Sequence, residues 1–254
     1  MRQLQYRSSP AVRSLILGRW EFAPGLLPSI AALVAIMLFV ELGFWQLRRA
    51  DESQAQLATR NEREHLASLD LNRLAAERMD SLLWRSATVS GRWQAVPVLL
   101  LDNQMTAGRV GYLVFGLLRP QGCSCALLVN RGWVDAGPER GTIPELGRLP
   151  HAATLHGRLA PLPPGGVGVR NDVEHFPGGL MRVQRLELAS IPLEPGIRLL
   201  PVTLRLDPES PDGFVRNWAP PANKTDRHLA YALQWFIFAL IAAGLYGFLN
   251  LKSR

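Results

Sequence analysis

Cysteine is nearly absent from this chain of 254 residues: Cys123 and Cys125, in the tripeptide Cys-Ser-Cys, are the whole complement. A framework of disulfides is therefore excluded, and a bond between these two closes only a very small ring. Paired thiolates suit Cu(I) or another soft metal, but no Met or His stands near them. The expectation is two small apolar side chains on one face of a strand. Catalytic signatures are missing as well. There is no Gly-x-Ser-x-Gly, no His-Glu-x-x-His and no phosphate-binding loop. The Gly-Gly-Val-Gly-Val stretch at 165–169 lacks the third glycine of a dinucleotide site and a helix to follow it. The chain is expected not to be an enzyme.

A nucleic-acid stripe is also lacking. The net charge is +7, yet 22 of the 28 basic residues lie between Arg48 and Arg227 against 19 acids, leaving that region at +3. The excess sits in the tails, and no basic patch is interleaved with aromatics, so nucleic acid is not an expected partner.

Charge is scarcest in two runs. Gly25–Leu47 carries only Glu41, and Leu229–Leu251 carries none. Twenty-three residues make about 35 Å of helix, enough for a hydrocarbon core of ~30 Å. A cleaved signal peptide does not fit the first run, which is too long and ends in bulky Gly43-Phe44-Trp45-Gln46-Leu47 without a small-x-small site. An acid-poor start containing Arg and Ser also fits a mitochondrial transit peptide, although only about 24 residues precede the helix. Arg2, Arg7, Arg13 and Arg19 precede the first run, and Lys252 and Arg254 follow the second. Such flanks stay on the cytoplasmic side, which puts both termini inside and the intervening domain outside. The expected organisation is a tail over 1–24, a transmembrane helix over 25–47, an outer domain over 48–227, a second transmembrane helix over 228–251 and a tail over 252–254.

From Ala50 to Leu83 the sequence is polar and helix-favouring, with Leu57, Leu66, Leu71, Leu74 and Leu82 along it. This predicts a helical extension over 48–82, broken near Ser68–Asp70. Seven short pieces rich in Val and Leu follow, punctuated by Gly, Pro and Asp. They predict a mostly antiparallel β-domain, a barrel or a sandwich, and hence an α+β membrane protein. His65, His151, His156 and His175 have no matching partners and read as surface or structural residues.

Helical spacing gathers His228, Tyr231, Trp235 and Phe238 on one stripe of the second helix, and Glu41, Trp45 and Arg48 on one stripe of the first, with Arg49 alongside. Both stripes fall at the outer membrane boundary. Glu41, roughly 9 Å inside the apolar layer, is costly there unless paired or facing protein, which marks it as a candidate site. Interfacial aromatic belts and snorkelling arginines account for the same residues without a ligand.

The motifs "LGFWQLRRADE", "VNRGWV" and "HLAYALQWFIFAL", in this order around two membrane helices, resemble the surfeit-locus family of cytochrome c oxidase assembly factors. "VSGRW", "GRVGYLVFGLL" and "LHGRL" extend the likeness over about Leu42 to Leu240. The resemblance implies a membrane chaperone of the respiratory chain that helps haem a settle in the oxidase catalytic subunit. It makes His228 the ligand of the haem iron, and Trp45, Gln46, Arg131, Gly132, Trp133, Tyr231 and Trp235 candidates for the haem or partner face. Chemistry agrees: neutral imidazole is an axial ligand of haem iron. Arg48, Arg49 and Arg227 suit propionates, and Trp45, Tyr231 and Trp235 suit the porphyrin face. Haem a, the catalytic subunit, the lipid bilayer and haem a synthase are the expected cofactor and partners. The expected location is the bacterial inner membrane, with the mitochondrial inner membrane as the alternative. Two other readings stay open: a subunit scaffold without cofactor that docks through Arg131, Gly132 and Trp133 at a strand end, and a membrane-anchored sensor.

Overall fold

The computed structural model describes residues 15–17, 20–73, 79, 81–137, 142–164, 172–211, 214–218 and 223–253. Arg2, Arg7, Arg13, Arg19, Leu74, Arg254 and the glycine-rich 165–169 stretch lie outside the described residues. In chain order the elements are β1 (Leu15–Leu17), β2 (Trp20–Phe22), α1 (Leu26–Glu64), β3 (Leu69–Asp70), β4 (Ser86–Trp93), β5 (Val98–Thr106), β6 (Arg109–Pro120), β7 (Cys125–Asp135), β8 (Ala152–Ala160), β9 (Glu174–Phe176), β10 (Leu180–Val183), β11 (Arg198–Leu206), α2 (Thr225–Asn250) and β12 (Leu251–Ser253). They fall into two compact units, Met1–Ala58 with Pro221–Arg254, and Thr59–Pro220.

α1, which belongs to the first unit as far as Ala58 and to the second beyond it, starts with Pro28 in its first turn, where a missing N–H costs nothing. It then runs unbroken past the apolar stretch because residues 50–64 are mostly good helix formers, Ala, Glu, Gln, Leu and Arg. Pairs at helical spacing, Arg49–Glu52 and Arg60–Glu64, support the polar half. Both α1 and α2 are long and apolar enough to cross a membrane. A small sheet in the order β1-β2-β12 joins the segments flanking the two helices.

The second unit is one nine-stranded sheet in the order β3-β4-β8-β11-β7-β6-β5-β10-β9, and an added β4–β6 pairing closes five of its strands into a barrel. Of the two β-architectures that the sequence allows, the barrel is the one formed. Pairings are mostly antiparallel, with β3–β4, β5–β10 and β7–β11 parallel. One core cluster draws on all five barrel strands, including Val89, Leu118, Leu127, Val129, Leu159 and Val202. A second packs Leu99, Phe115, Leu117, Leu128 and Met181 together. Successive residues of β7 thus enter different cores, and a strand covered on both faces reads as a continuous apolar run.

The cysteines correct the expectation of an unbonded pair. Cys123 and Cys125 form a disulfide, with Cα atoms 5.1 Å apart. Cys123 lies in the turn before β7 rather than in a strand. An extended chain would hold residues two apart at about 6.6 Å; the turn shortens this into the bonding range.

Candidate functional site

Helix α1 buries Gly43, Gln46 and Ala50, and α2 buries Thr225, Ala232 and Ala239. These positions recur at steps of three, four or seven, the seam of two helices packed side by side. Their small side chains allow close approach. At Gly43 an added Cβ would lie 2.6 Å from the Phe236 ring, which also meets Phe44 edge-on at 5.4 Å. Further along, Phe39 stacks on Trp235 at 5.8 Å and touches Phe238.

The seam has one polar contact at the start of α2. His228 Nδ1 lies 2.7 Å from Gln46 Oε1. An amide oxygen only accepts, so the imidazole donates through Nδ1–H, and its Nε2 keeps a lone pair. The contact is shielded, since Gln46 is only 8% exposed. A histidine whose Nδ1 proton is tied to an oxygen acceptor is the usual orientation of a metal-ligating imidazole.

The α1 stripe of Glu41, Trp45 and Arg48 lies roughly 160° around the helix from Gly43. It therefore does not face α2. Its members pair among themselves on the exposed side: Arg48 Nη2 donates to Glu41 Oε1 at 2.9 Å, and Arg49 lies 5.8 Å over Trp45 while bonding Glu52. Glu41 is thus paired, which answers its cost. Tyr231 is exposed, and Trp235 joins Phe39 and Phe238. The structure brings His228 to Gln46 and Trp235 to Phe39; it does not bring Trp45, Arg48 or Arg49 into the helix seam.

Arg131, Gly132 and Trp133 lie inside β7, not at a strand end. Arg131 is the extra residue of a β-bulge, since Val114 pairs with Gly132 and Phe115 with Asn130. Gly132 takes φ +121°, and a Cβ there would lie 2.8 Å from Val215 O. Trp133 exchanges backbone hydrogen bonds with Val215 and donates Nε1–H to Gln104 O at 2.8 Å. Arg131 donates to Leu146 O at 3.2 Å and stands over Phe214. Arg131 and Trp133 are 3% and 7% exposed. Both side chains are buried, and their bonds tie β7 to the backbone at Leu146, Val215 and Gln104.

A family model described as the SURF1 family matches residues 33–240, from the first turns of α1 to the middle of α2. The chain belongs to the SURF1 family. That family is known for cytochrome oxidase assembly and is an assembly-factor family rather than a catalytic one. No curated protein matches the chain. The SURF1 match includes Gln46, His228 and the whole seam between them, so the polar contact belongs to the family region and not to an appended segment.

Proposed function

We propose that this SURF1-family chain serves oxidase assembly by holding haem a at the top of its helix pair, with His228 as the protein ligand of the iron. The carrying observation is the His228–Gln46 hydrogen bond, which fixes the ring and leaves Nε2 as a donor. The iron supplies the acceptor for that lone pair; the remaining work is the chain's own. Arg227, exposed beside His228, is the cation nearest in sequence for a propionate; Arg48 and Arg49 lie within a turn of Gln46 and would have to leave Glu41 and Glu52 to serve one. Tyr231 and Trp235, on the α2 stripe of His228, present aromatic surface for the macrocycle, whereas Trp45 stays on the opposite face of α1. A single protein ligand also suits a carrier, because it is released more readily than a pair.

The apolar sides of α1 and α2 favour lipid as their surroundings. Leu27, Leu240, Phe248 and Leu249 are open to the outside, a condition that water does not tolerate over a whole helix. Two spans put both chain ends on one side of the membrane and the β-domain on the other. The flanking charge favours the cytoplasmic side of a bacterial inner membrane for the ends. The oxidase catalytic subunit and haem a synthase are the partners that this role requires.

The test is purification in detergent from cells that make haem a. Wild type is expected to carry an a-type visible spectrum and His228→Ala to lose most of it. Equal haem content in both would remove His228 as ligand. If wild type carries no haem yet captures the catalytic subunit, the cofactor-free scaffold takes its place.

A further inference from the structure

The second unit contains a charge imbalance that the haem proposal does not use. Arg205 on β11 lies directly across from Arg158 on antiparallel β8. Like charges opposed on neighbouring strands destabilise a sheet unless something negative lies between them. Arg60, near the end of α1, adds a third guanidinium close enough to repel Arg205. The carboxylate at hand is Glu64, and a single oxygen of it, Oε1, takes both Arg60 Nε at 2.6 Å and Arg158 Nη1 at 3.1 Å.

The Arg205 side chain has no ion pair or hydrogen bond among the described residues. Its neighbours are indoles: its guanidinium carbon lies 5.9 Å from the Trp84 ring centre and 5.5 Å from that of Trp218. Arg60 stands 4.5 Å over Trp84 as well. The Trp218 ring and the Trp84 backbone are held by their own bonds. Trp218 donates Nε1–H to Leu206 O at 2.8 Å. Trp84 holds φ +73°, a conformation a bulky side chain keeps only where its surroundings impose it, and its N–H is tied to Leu159 O at 2.8 Å. Stacking over a ring leaves the N–H edges of a guanidinium free to bond in its plane.

Arg182 on β10 shows the usual alternative. Its hydrogen bonds to Glu174 push its pKa up against the pull of burial. Arg205 is pushed down, first by burial and then by Arg60 and Arg158. Arg158 Nε, moreover, is buried without an acceptor. Three guanidiniums with one carboxylate leave two positive charges uncompensated.

We propose that Arg60, Arg158 and Arg205, framed by Trp84 and Trp218, form an oxyanion site that takes a phosphate group. A doubly charged phosphate matches the excess, and its oxygens match the guanidinium edges. The phosphate comes either from a soluble phosphate compound or from a phospholipid headgroup.

The full-length protein in neutral detergent would be titrated with inorganic phosphate against chloride at constant ionic strength, followed by thermal melting and phosphorus NMR line broadening. Wild type is expected to bind and to melt higher in phosphate. Arg205→Gln should bind about tenfold or more weakly, and should melt no lower than wild type in chloride because it relieves the opposed charges. Arg158→Gln is the second variant and should lose the response in the same way, with unchanged β circular dichroism. Arg92→Gln, at an exposed arginine of β4, should keep it. Nanodiscs of phosphatidylcholine with and without phosphatidic acid form the lipid arm. Stabilisation there but not by free phosphate, absent in Arg205→Gln, assigns the headgroup. A wild type indifferent to both sources, or Arg205→Gln and Arg158→Gln variants that respond as wild type does, overturns the proposal.

Discussion

Phe115 on β6 and Phe248 on α2 are the same side chain in opposite circumstances. The first is fully buried in the β-domain, and the second is 76% exposed. The barrel covers its own apolar atoms on both faces of its central strands. The helix pair covers little of its apolar surface, and what it does bury at the seam is small or polar: Gly43, Gln46, Ala50, Ala232 and Ala239. One region is stabilised by removing hydrocarbon from water, whereas the other takes its order from close packing, the hydrogen bonds His228–Gln46 and Ser29–Tyr246, and a non-aqueous surrounding. The proposed haem site draws on this difference. The barrel's cores are closed by apolar side chains, whereas the helix seam holds an imidazole at its end, oriented by Gln46.

Substitutions can break or sharpen the contrast. Phe115→Ala should cost about 4 kcal/mol, the loss of a buried aromatic plus its cavity, read by denaturant unfolding of the full chain in detergent. Gly132→Ala should cost roughly 2–3 kcal/mol, because φ +121° and the nearby Val215 carbonyl both oppose a Cβ; the same unfolding assay measures it. In the helix seam, Gln46→Leu should cost about 1 kcal/mol in unfolding, by stranding the Nδ1–H of His228, while lowering retained haem a roughly tenfold, measured by pyridine haemochrome. Gln46→Glu, which keeps an acceptor for His228, should lose less. Smallest of all, Phe248→Ala should change stability by under about 0.5 kcal/mol. A loss there as large as at Phe115 would mean that the exposed face of α2 is covered, and the contrast would fail.

How far the sequence reveals each region follows the same division. Run length and missing charge make the two helices legible, because an uncharged apolar stretch of that length matches the thickness of a bilayer and little else. The strands are legible as short Val- and Leu-rich pieces, but barrel closure is not. It depends on Gly91–Trp93 meeting Leu118–Pro120, a pairing that neither segment advertises. His228 stands out because it opens an apolar run. The face of α1 that meets it is harder to read, since Glu41-Trp45-Arg48 and Phe39-Gly43-Gln46-Ala50 share the same spacing. Glycine and alanine are the signal for the packed face, and the more conspicuous aromatic and charged residues belong to the other. The Arg158–Arg205 opposition is invisible in one dimension, because register alone sets it. Cys123 and Cys125 mislead for a related reason: a turn, not a strand, sets their separation.

The parallel pairing of β7 with β11 has a consequence for how the chain is made. Between them the chain must deliver β8, β9 and β10, so β7 waits for this neighbour while about sixty further residues are made. Only roughly twenty residues then separate β11 from α2, and synthesis proceeds from the N-terminus. The strand that completes the sheet and the helix that carries His228 consequently leave the ribosome almost together. The histidine reaches its amide partner only once the rest of the molecule already exists to receive it.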